Sequence, residues 1–384
     1  MIREFHINNF KSLVNFELKL DKFTCLIGLN GSGKSTILQA FDFTTQLVKG
    51  HIEDWLKIRE WVPEDLLYYF KSGENINFAI KLKFENSYYF WRGEFNANTL
   101  TCSNEEIVND TSGEILFKVA DNAYQIGNNF QKKIEFKYQG SLLSILQEEV
   151  LTEEIIKIRD FFVSVKSTDL LSPQLMRKRA RQADNDLGLG GEKLSAFLHD
   201  LSDDKKSQLN KLVQEKFIST FESIETSTIQ AGWKKLSVIE KVFQENDLFE
   251  TKPLWLNTEA RHISDGLLRL LAILSQMMTS HQVLLFDEIE DGINPEIVEK
   301  LVDLLTSTPQ QIIITTHSPI LLNYIEDEQA KKSVIFTYKN KKGITQQQPF
   351  FTIEGVSEKL EILGPGEAML DVSLNELSEE LSHD

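Results

Sequence analysis

The sequence has few cysteines and no long apolar run, and both shortages exclude classes of protein. Cys25 and Cys102 are the only cysteines among 384 residues, too few for a disulfide framework, and neither has the neighbours of a zinc site. Cys25 lies in the apolar run FTCLI, which predicts a buried strand residue. No stretch approaches the roughly 18 apolar residues of a membrane span, and the opening MIREFHINNF lacks the apolar core of a signal peptide. We therefore expect a cytoplasmic protein without membrane contact.

Positive charge is also scarce. The chain carries 41 Lys and Arg against 58 Asp and Glu, a formal net charge of −17. Non-specific nucleic-acid affinity comes from Lys and Arg that neutralise phosphates, so the charge does not indicate a nucleic-acid partner, although a local groove stays open as an alternative. The one tight basic cluster is RKRAR at 177–181. We favour a solvated helix face there, and a contact with phosphate or a partner is the alternative.

The pattern of apolar residues divides the chain into four segments. Closely spaced strand-like runs between 76 and 142 predict an antiparallel region. Residues 145–161 and 192–225 have helical spacing, and FFVSV at 161–165 resembles a buried strand. After residue 261, apolar strands alternate with helices, which predicts parallel βαβ packing. The predicted segments are an N-terminal part with a Gly-rich loop and the antiparallel region (1–165), a mainly helical insertion (166–260), the C-terminal part of the core (261–345) and a tail (346–384).

The Gly-rich loop GLNGSGKST spans residues 28–36 and fits the pattern G-x-x-x-x-G-K-[ST]. It lies between a predicted strand and a predicted helix, as a phosphate-binding loop requires. Gly31 and Gly33 let backbone N–H groups turn toward phosphates, and the following helix points its positive end at them. Lys34 is expected to reach the β- and γ-phosphates, Ser35 to hold Mg²⁺, and Thr36 to bind phosphate. A merely structural turn is the weaker alternative.

Two buried strands of the C-terminal third end in polar residues. In VLLFDEIEDGINP, Asp287 is expected to orient Mg²⁺ through water and Glu288 to act as the general base for the attacking water. The alternative is a solvated acidic turn, which we favour less because the chain also contains the phosphate loop. In QIIITTHSP, His317 follows the strand and is expected to sense the γ-phosphate, although a lone His is more often structural. These residues predict an ATP and Mg²⁺ site.

A fourth motif, HISDGLLRLLAIL, begins an apolar helix with Ser264 and Asp265, ordinary helix starters. Together with GLNGSGKST, VLLFDEIEDGINP and IITTHSP it resembles the ABC-type ATPases of the RecF/SMC/OLD group, and particularly the small AAA-type ATPases of bacteria and prophages. The resemblance spans nearly the whole chain and is weakest in the middle. It implies an α/β P-loop NTPase fold of ABC-ATPase type with an antiparallel β lobe and a helical insertion.

The resemblance also implies roles for particular residues. Asn30 matches the asparagine of the family's phosphate loop. Ser264 and Gly266 correspond to the signature that touches the γ-phosphate held by the other subunit, and the loop crossing the dimer interface corresponds to Glu290, Asp291 and Asn294. The sequence ISDGL departs from the Gly-Gly-Gln ending of transporters, which suits the soluble group better. A glutamine linking the two lobes is also expected; Gln174 is a weak candidate, and a surface residue in a Pro-containing loop is the alternative.

A signature that acts in trans implies a head-to-tail homodimer, or a higher oligomer built from such dimers. We expect an ATPase switch, sensor or scaffold of an anti-phage defence system that works with a separately encoded effector, for example a nuclease. The segment after His317 is short for the family's own nuclease domain, and no acidic metal-binding cluster is evident elsewhere in the sequence. The alternative is a RecF-like repair or recombination ATPase that clamps DNA.

Overall fold

A computed structural model describes residues 1–70, 73–168, 171–245 and 251–382. The chain forms two compact units. The first unit contains residues 1–167, 282–286 and 308–384, and the second unit contains residues 168–281 and 287–307. The four segments predicted from the sequence follow chain order rather than contacts and stay a prediction; the last two residues of the predicted tail lie outside the described residues.

The described residues contain seventeen β-strands. In chain order they are β1 Ile2–Asn8, β2 Phe16–Lys19, β3 Phe23–Ile27, β4 Asn75–Phe84, β5 Ser87–Asn96, β6 Thr101–Asn109, β7 Glu114–Ala120, β8 Ala123–Ile126, β9 Lys132–Lys133, β10 Val165–Thr168, β11 Phe221–Thr228, β12 Lys234–Glu245, β13 Thr251–Glu259, β14 Val283–Phe286, β15 Gln311–Thr315, β16 Val334–Lys339 and β17 Thr345–Pro349.

The same parts of the chain contain thirteen α-helices: α1 Lys34–Lys49, α2 Ile52–Ile58, α3 Glu153–Val163, α4 Pro173–Met176, α5 Leu194–Asp200, α6 Asp203–Leu212, α7 Asp265–Met277, α8 Pro295–Ser307, α9 Pro319–Leu322, α10 Asp327–Ser333, α11 Ser357–Leu360, α12 Pro365–Leu370 and α13 Leu374–Leu381. Short 3-10 turns occur at Pro63–Leu66, Leu142–Ser144, Glu148–Val150, Gln230–Gly232, Ala260–His262 and Phe350–Thr352, and a π turn at Val213–Phe217. None of these described helices combines the length and the apolar character needed to cross a bilayer.

The first unit contains an eight-stranded antiparallel sheet in the order β2-β1-β4-β5-β6-β7-β8-β9. Its strands alternate apolar and polar residues, so one face is buried and the other faces solvent. In β4, for example, Ile76, Phe78 and Ile80 are buried, whereas Asn77 is exposed. The antiparallel region predicted from the sequence is therefore confirmed.

A six-stranded sheet in the order β10-β14-β15-β3-β16-β17 holds the phosphate-loop strand near its centre. The strands β14, β15, β3 and β16 pair in parallel, and β17 is antiparallel to β16. The residues of β3, β14 and β15 are buried throughout, as expected for strands of a parallel sheet that is covered on both faces.

Helix α1 joins the cores of the two sheets of the first unit. The Phe41 ring lies 4.0 Å from that of Phe5 in β1, and Phe43 meets Phe95 of β5 edge to face at 5.1 Å. The same apolar cluster includes Leu26 of β3. The phosphate loop therefore begins a helix whose position is fixed by packing on both sides.

The first unit also differs from expectation in the stretch of chain between β9 and β10. Helix α3 starts at Glu153, where the Thr152 side chain accepts a hydrogen bond from Ile155 N, rather than at residue 145. Phe161 and Phe162, predicted to start a strand, lie in the last turn of this helix, which ends at Val163. Phe162 packs against Trp91 with ring centroids 4.5 Å apart, so a helical apolar face explains the two phenylalanines, whereas Val165, the last residue of the run FFVSV, begins strand β10.

The second unit contains a three-stranded antiparallel sheet, β11-β12-β13, beside helices α4 to α8. The sequence predicts residues 192–225 to be helical. The helices α5 and α6 occupy residues 194–212, but β11 starts at Phe221. Phe221 is fully buried, and the mostly polar residues that follow it in β11 are exposed or partly buried. The insertion is thus helical only in its first half.

Candidate nucleotide-binding site

Residues 28–33 form a tight loop that joins β3 directly to α1. Gly28 has φ 146° and Gly33 has φ 113°, conformations that residues with side chains rarely adopt. A β-carbon would lie 2.2 Å from the Thr337 carbonyl oxygen at Gly28 and 2.1 Å from Thr345 Oγ1 at Gly33. Glycine is therefore required at both positions for backbone conformation and for space.

The Lys34 side chain is buried and folds back over the loop. Its Nζ donates hydrogen bonds to the carbonyl oxygens of Gly28, at 2.7 Å, and Leu29, at 3.2 Å. The first turn of α1 is also closed by a bond from Ile37 N to Gly33 O at 2.9 Å. The ammonium group thus lies against the loop carbonyl oxygens, and its residue begins a sixteen-residue helix, whose N-terminus is favourable for anions.

Three hydroxyl side chains outside the motif hold the loop in shape. Thr337 Oγ1 lies 2.8 Å from Ser32 Oγ and donates to Ile27 O at 2.9 Å. Thr345 Oγ1 donates to Ser32 O at 3.1 Å and lies 2.7 Å from Ser12 Oγ. No sequence pattern predicted a role for Ser12, Thr337 or Thr345. The only signal was a threonine within the apolar strand VIFTYK, too common a feature to indicate a role.

His317 lies at the edge of the sheet from which the phosphate loop emerges. It follows β15, whose Thr315 pairs with Leu26 of the parallel neighbour β3. Thr316 N donates to Leu26 O at 3.0 Å. Because the carboxyl ends of parallel strands meet at one edge, His317 and the loop share that edge, as the sequence predicts. The His317 side chain is exposed.

Asp287 and Glu288 follow β14 directly in the chain and belong to the second unit. Asp287 N donates to Thr168 O at 3.3 Å. Glu288 is exposed and has φ 45°, a left-handed conformation that costs free energy for a residue with a long side chain. Strain of this kind is concentrated at functional sites. Other non-glycine residues, such as Glu60 and Glu85, share this conformation, so it does not by itself identify Glu288 as functional.

The signature residues and the predicted interface loop contact each other within the second unit. Ser264 Oγ accepts a hydrogen bond from Leu267 N at 3.4 Å and so caps α7. A β-carbon on Gly266 would lie 2.5 Å from the Gly292 carbonyl oxygen, so the start of α7 packs directly on the loop. Asn294 Oδ1 accepts a hydrogen bond from Glu296 N at 3.0 Å at the start of α8.

Two ion pairs tie this region further. Arg269 Nη2 lies 2.6 Å from Asp291 Oδ2, which joins α7 to the loop. Arg177 Nη2 donates to Ile263 O at 2.7 Å and pairs with Asp265. Glu290 is partly buried in the same loop.

The basic cluster at 177–181 does not lie on a helix, although Lys178, Arg179 and Arg181 are exposed to solvent as expected. Helix α4 is only four residues long and ends at Met176, before the cluster. Arg177 is engaged at the signature, and the Arg181 guanidinium lies 4.9 Å from the ring centre of Trp233. Gln174 is exposed on α4; its predicted lobe-linking role stays a prediction.

Similarity to known proteins fits this geometry. Residues 256–323 match a family described as "AAA domain, putative AbiEii toxin, Type IV TA system"; the match includes α7, Asp287, Glu288 and His317. A stretch of 109 residues, 28% of this chain, is 31% identical to the OLD nuclease of Thermus scotoductus and spans 19% of that protein. The chain thus matches about a fifth of the length of this curated relative.

Solved structures resemble nearly the whole chain. The Smc head domain of Pyrococcus furiosus, solved with an extended coiled coil and bound to the C-terminal domain of ScpA, has a TM-score of 0.50 at 13% identity and covers 94% of this chain and 99% of its own. The chain has the fold of an SMC head domain. An SmcHead bound to the C-winged helix domain of ScpA has a TM-score of 0.49 at 16% identity, with 90% of this chain and 97% of its own covered. The expected α/β fold with an antiparallel β lobe is confirmed, whereas the insertion is helical only in its first half.

Proposed function

We propose that the chain binds and hydrolyses ATP and acts as a dimerising switch. The observation that carries the proposal is the loop between β3 and α1. Gly28 and Gly33 leave no room for a side chain there, and Lys34 lies over the loop carbonyls. A loop of this kind surrounds phosphates with backbone N–H groups and places the positive end of a helix beneath them.

In this proposal the loop residues Asn30, Gly31, Gly33 and Thr36 line the phosphates and Lys34 neutralises the β- and γ-phosphates. Ser35 and Asp287 would supply the hydroxyl and carboxylate oxygens that Mg²⁺ prefers. Bound Mg²⁺ would neutralise charge that develops on the transferred phosphoryl group.

Glu288 serves in the proposal as the general base that accepts a proton from the attacking water, and His317 as a polar contact to the γ-phosphate. The position of Glu288, exposed and two residues after the buried strand β14, supports this role. The exposed position of His317 at the loop's edge of the sheet supports its own role.

The proposed switch is a head-to-tail homodimer. Ser264 and Gly266 of one subunit would complete the ATP site of the other, with Glu290, Asp291 and Asn294 at the interface. The close packing of Gly266 on Gly292 supports a single surface formed by the signature and this loop. ATP would bridge the subunits, and hydrolysis would release them.

We further propose a role in anti-phage defence with a separately encoded effector, such as a nuclease. The description of the matching family names a toxin of a toxin–antitoxin system, and the curated relative is named a nuclease. Protection of cells from phage that requires both this gene and its neighbour would support the role. Tight duplex-DNA binding with a steep salt dependence would instead support a DNA clamp.

Two substitutions test the ATPase proposal. Lys34→Ala is expected to abolish ATP binding in isothermal titration calorimetry, because the phosphates lose their cation. Glu288→Gln is expected to keep ATP binding, to slow hydrolysis by about 100-fold or more because the general base is lost, and to accumulate an ATP-dependent dimer in size-exclusion chromatography.

Lys49→Ala is a matched control, since Lys49 lies in the last turn of α1, opposite the loop end. It should bind and hydrolyse ATP like the parent. Normal turnover by the Glu288→Gln variant would contradict the role assigned to Glu288, and unchanged ATP affinity in the Lys34→Ala variant would contradict the site itself.

A further inference from the structure

The first unit contains a cleft of about 910 Å³ at the C-terminal end of α1. Its lining residues come from the end of α1, the start of α2, the start of β6 and residues 134–139, here called the crossing segment. Helix α1 has sixteen residues, so the phosphate loop at its other end lies roughly 24 Å away at 1.5 Å per residue. The cleft is therefore separate from the proposed nucleotide site.

The crossing segment is anchored at both ends. At its start, Ile134 N donates to Asn122 O at 2.9 Å. Directly after its end, Gly140 N donates to Leu100 O at 2.8 Å, and a β-carbon on Gly140 would lie 2.3 Å from Leu47 O. The antiparallel sheet and α1 thus fix the two ends of the segment.

Between these anchors the backbone of the crossing segment is exposed. The N–H and C=O groups of residues 135–137 form no hydrogen bond with any other residue that the structure describes. Exposed backbone donors and acceptors can pair with an added strand, and many domains bind extended peptides in this way. The cleft therefore offers main-chain hydrogen bonds to a ligand.

Apolar and hydroxyl side chains also line the cleft. Phe136 and Ile145 are each 44% exposed. Thr101 and Ser103 add hydroxyl groups along β6, and a hydroxyl can both donate and accept a hydrogen bond. A few polar groups beside an apolar surface are typical of a ligand-binding cleft.

The charges of the cleft are balanced. Glu53 and Lys137 are exposed in it, and neither forms an ion pair with any residue in the described part of the chain. With Lys49 and Asp54, the lining has two lysines and two acidic residues. A nucleic acid needs an excess of positive charge. The balance instead favours a ligand that carries charges of both signs.

We propose that this cleft binds a short peptide segment of a partner protein, in which an apolar residue is flanked by residues of opposite charge. The apolar side chain packs on Phe136 and Ile145, the peptide backbone pairs with residues 135–137, and the charged side chains meet Glu53 and Lys137. The inference deepens the proposed function, because it adds a binding site for the separately encoded effector, and it rests on that function for the source of the peptide.

The test uses a displayed library of random heptapeptides, selected on the immobilised parent and depleted on the double variant Phe136→Ala/Ile145→Ala. The selected peptides should share an apolar residue and charges of both signs. Fluorescence anisotropy with labelled synthetic copies measures their Kd. The double variant is expected to bind them about tenfold to a hundredfold more weakly, because the apolar residue loses its contacts. Both substituted side chains are partly exposed, so the urea denaturation midpoint should equal that of the parent.

A second variant, Lys137→Glu, keeps the apolar surface and reverses one charge. It should bind the same peptides about threefold to tenfold more weakly. Phe130→Ala and Lys132→Glu are the matched controls, because both residues are exposed in the same unit and neither lines the cleft. Both should bind the peptides like the parent.

Two results would overturn the proposal directly. One is a library that yields no enriched sequence, and the other is a set of peptides that bind both variants as tightly as the parent. Labelled single-stranded DNA of random sequence is the competing ligand and should not displace the peptides. If it displaced them and lost affinity for Lys137→Glu, the cleft would be a nucleic-acid site and the peptide site would fail.

Lys34→Ala separates this proposal from the ATP site, because its substitution lies at the other end of α1. Without nucleotide, this variant should bind the selected peptides like the parent. Loss of ATP binding with retained peptide binding would support both proposals. Retained ATP affinity in Lys34→Ala would contradict the ATP site and leave the peptide site standing, and absence of peptide binding in a parent that hydrolyses ATP would do the reverse.

Discussion

Gly28 lies against strand β16, where a β-carbon would meet the Thr337 carbonyl oxygen. Gly31, three residues later in the same loop, has φ 76°, but a β-carbon there would have no neighbouring atom within 4 Å. The two glycines therefore share a positive φ and differ in the space around them. Comparing alanine substitutions at the two positions therefore separates the free-energy cost of the backbone conformation from the cost of steric overlap with a neighbouring atom.

Gly28→Ala is expected to lower the free energy of unfolding by about 2–3 kcal/mol, because both the unfavourable backbone conformation and the steric overlap act against it. Gly31→Ala should cost only about 1 kcal/mol, for the conformation alone. Urea denaturation of the two variants and the parent measures both values. Equal losses would contradict the role assigned to Thr337. We also expect the Gly28→Ala loop to lose ATP affinity in calorimetry.

The residues of the phosphate loop could be predicted because phosphate binding itself requires this order of residues in the chain. A backbone turn around phosphate needs glycines and a lysine at fixed spacing, and these are adjacent in sequence. The supporting hydroxyls could not be predicted, because Ser12, Thr337 and Thr345 reach the loop from both ends of the chain. Their roles depend on strand pairing that no local pattern specifies.

At the scale of elements, strand β6 is joined to the segment after β9 by a buried carboxylate. Glu105 accepts hydrogen bonds from Trp91 Nε1 at 2.9 Å, from the Ser141 hydroxyl and from Leu142 N at 3.2 Å. Burial raises the pKa of this carboxyl, and the three donors lower it in part. Ser141 N also donates to Leu47 O at 2.7 Å, so the network connects the antiparallel sheet to the end of α1.

The contribution of Glu105 to the free energy of unfolding should fall as pH rises. A pKa raised on folding means that the contribution is fully present below the ordinary value of 4.5 and is lost as pH rises through the raised pKa. Glu105→Gln does not titrate. It should be less stable than the parent by about 1–3 kcal/mol at pH 5, because its amide nitrogen would face Leu142 N–H, and the difference should narrow toward pH 8.

Urea denaturation at pH 5, 6.5 and 8 measures how the difference in the free energy of unfolding between the Glu105→Gln variant and the parent changes with pH. Glu106→Gln, on the opposite face of β6 and paired with Arg92 near the surface, is the control and should change stability by less than about 1 kcal/mol at every pH. A difference between Glu105→Gln and the parent that stayed constant with pH would contradict the role given to burial.

Short apolar runs could be assigned to strands only where both faces are covered. VLLF and QIIITT became β14 and β15 because every residue is buried in the parallel sheet. FFVSV is similarly apolar, yet its phenylalanines lie in the last turn of α3, since a helix can bury two adjacent rings against Trp91 and Phe84. Length and composition do not distinguish the two cases, because the decision depends on the partner surface.

At the scale of the whole molecule, the two units interleave along the chain. Residues 282–286 return to the first unit because β14 pairs there beside β15. The residues that follow at once, Asp287 and Glu288, belong to the second unit. A division of the sequence into consecutive segments cannot predict that residues 282–286 belong to the first unit, because this assignment depends on how β14 pairs in the sheet.

The proposed dimer makes a prediction that no single subunit can satisfy. If the signature acts in trans, a phosphate loop from one subunit needs Ser264 from the other. Lys34→Ala and Ser264→Arg should each be inactive alone, the first for lack of phosphate binding and the second because the exposed Ser264 position would carry a long cation. A heterodimer of the two variants contains one site with an intact loop and an intact signature.

An equimolar mixture should therefore recover hydrolysis at about a quarter of the parent's sites, since half of the dimers are mixed and each has one complete site. Steady-state phosphate release from the separate and the mixed variants measures the recovery. A mixture of Lys34→Ala with Glu288→Gln is the control. Both substitutions affect residues that serve the subunit's own nucleotide, so no complete site forms and no recovery is expected. Recovery in neither mixture, with heterodimers verified by differential tags, would place the signature in its own subunit's site and contradict the head-to-tail dimer.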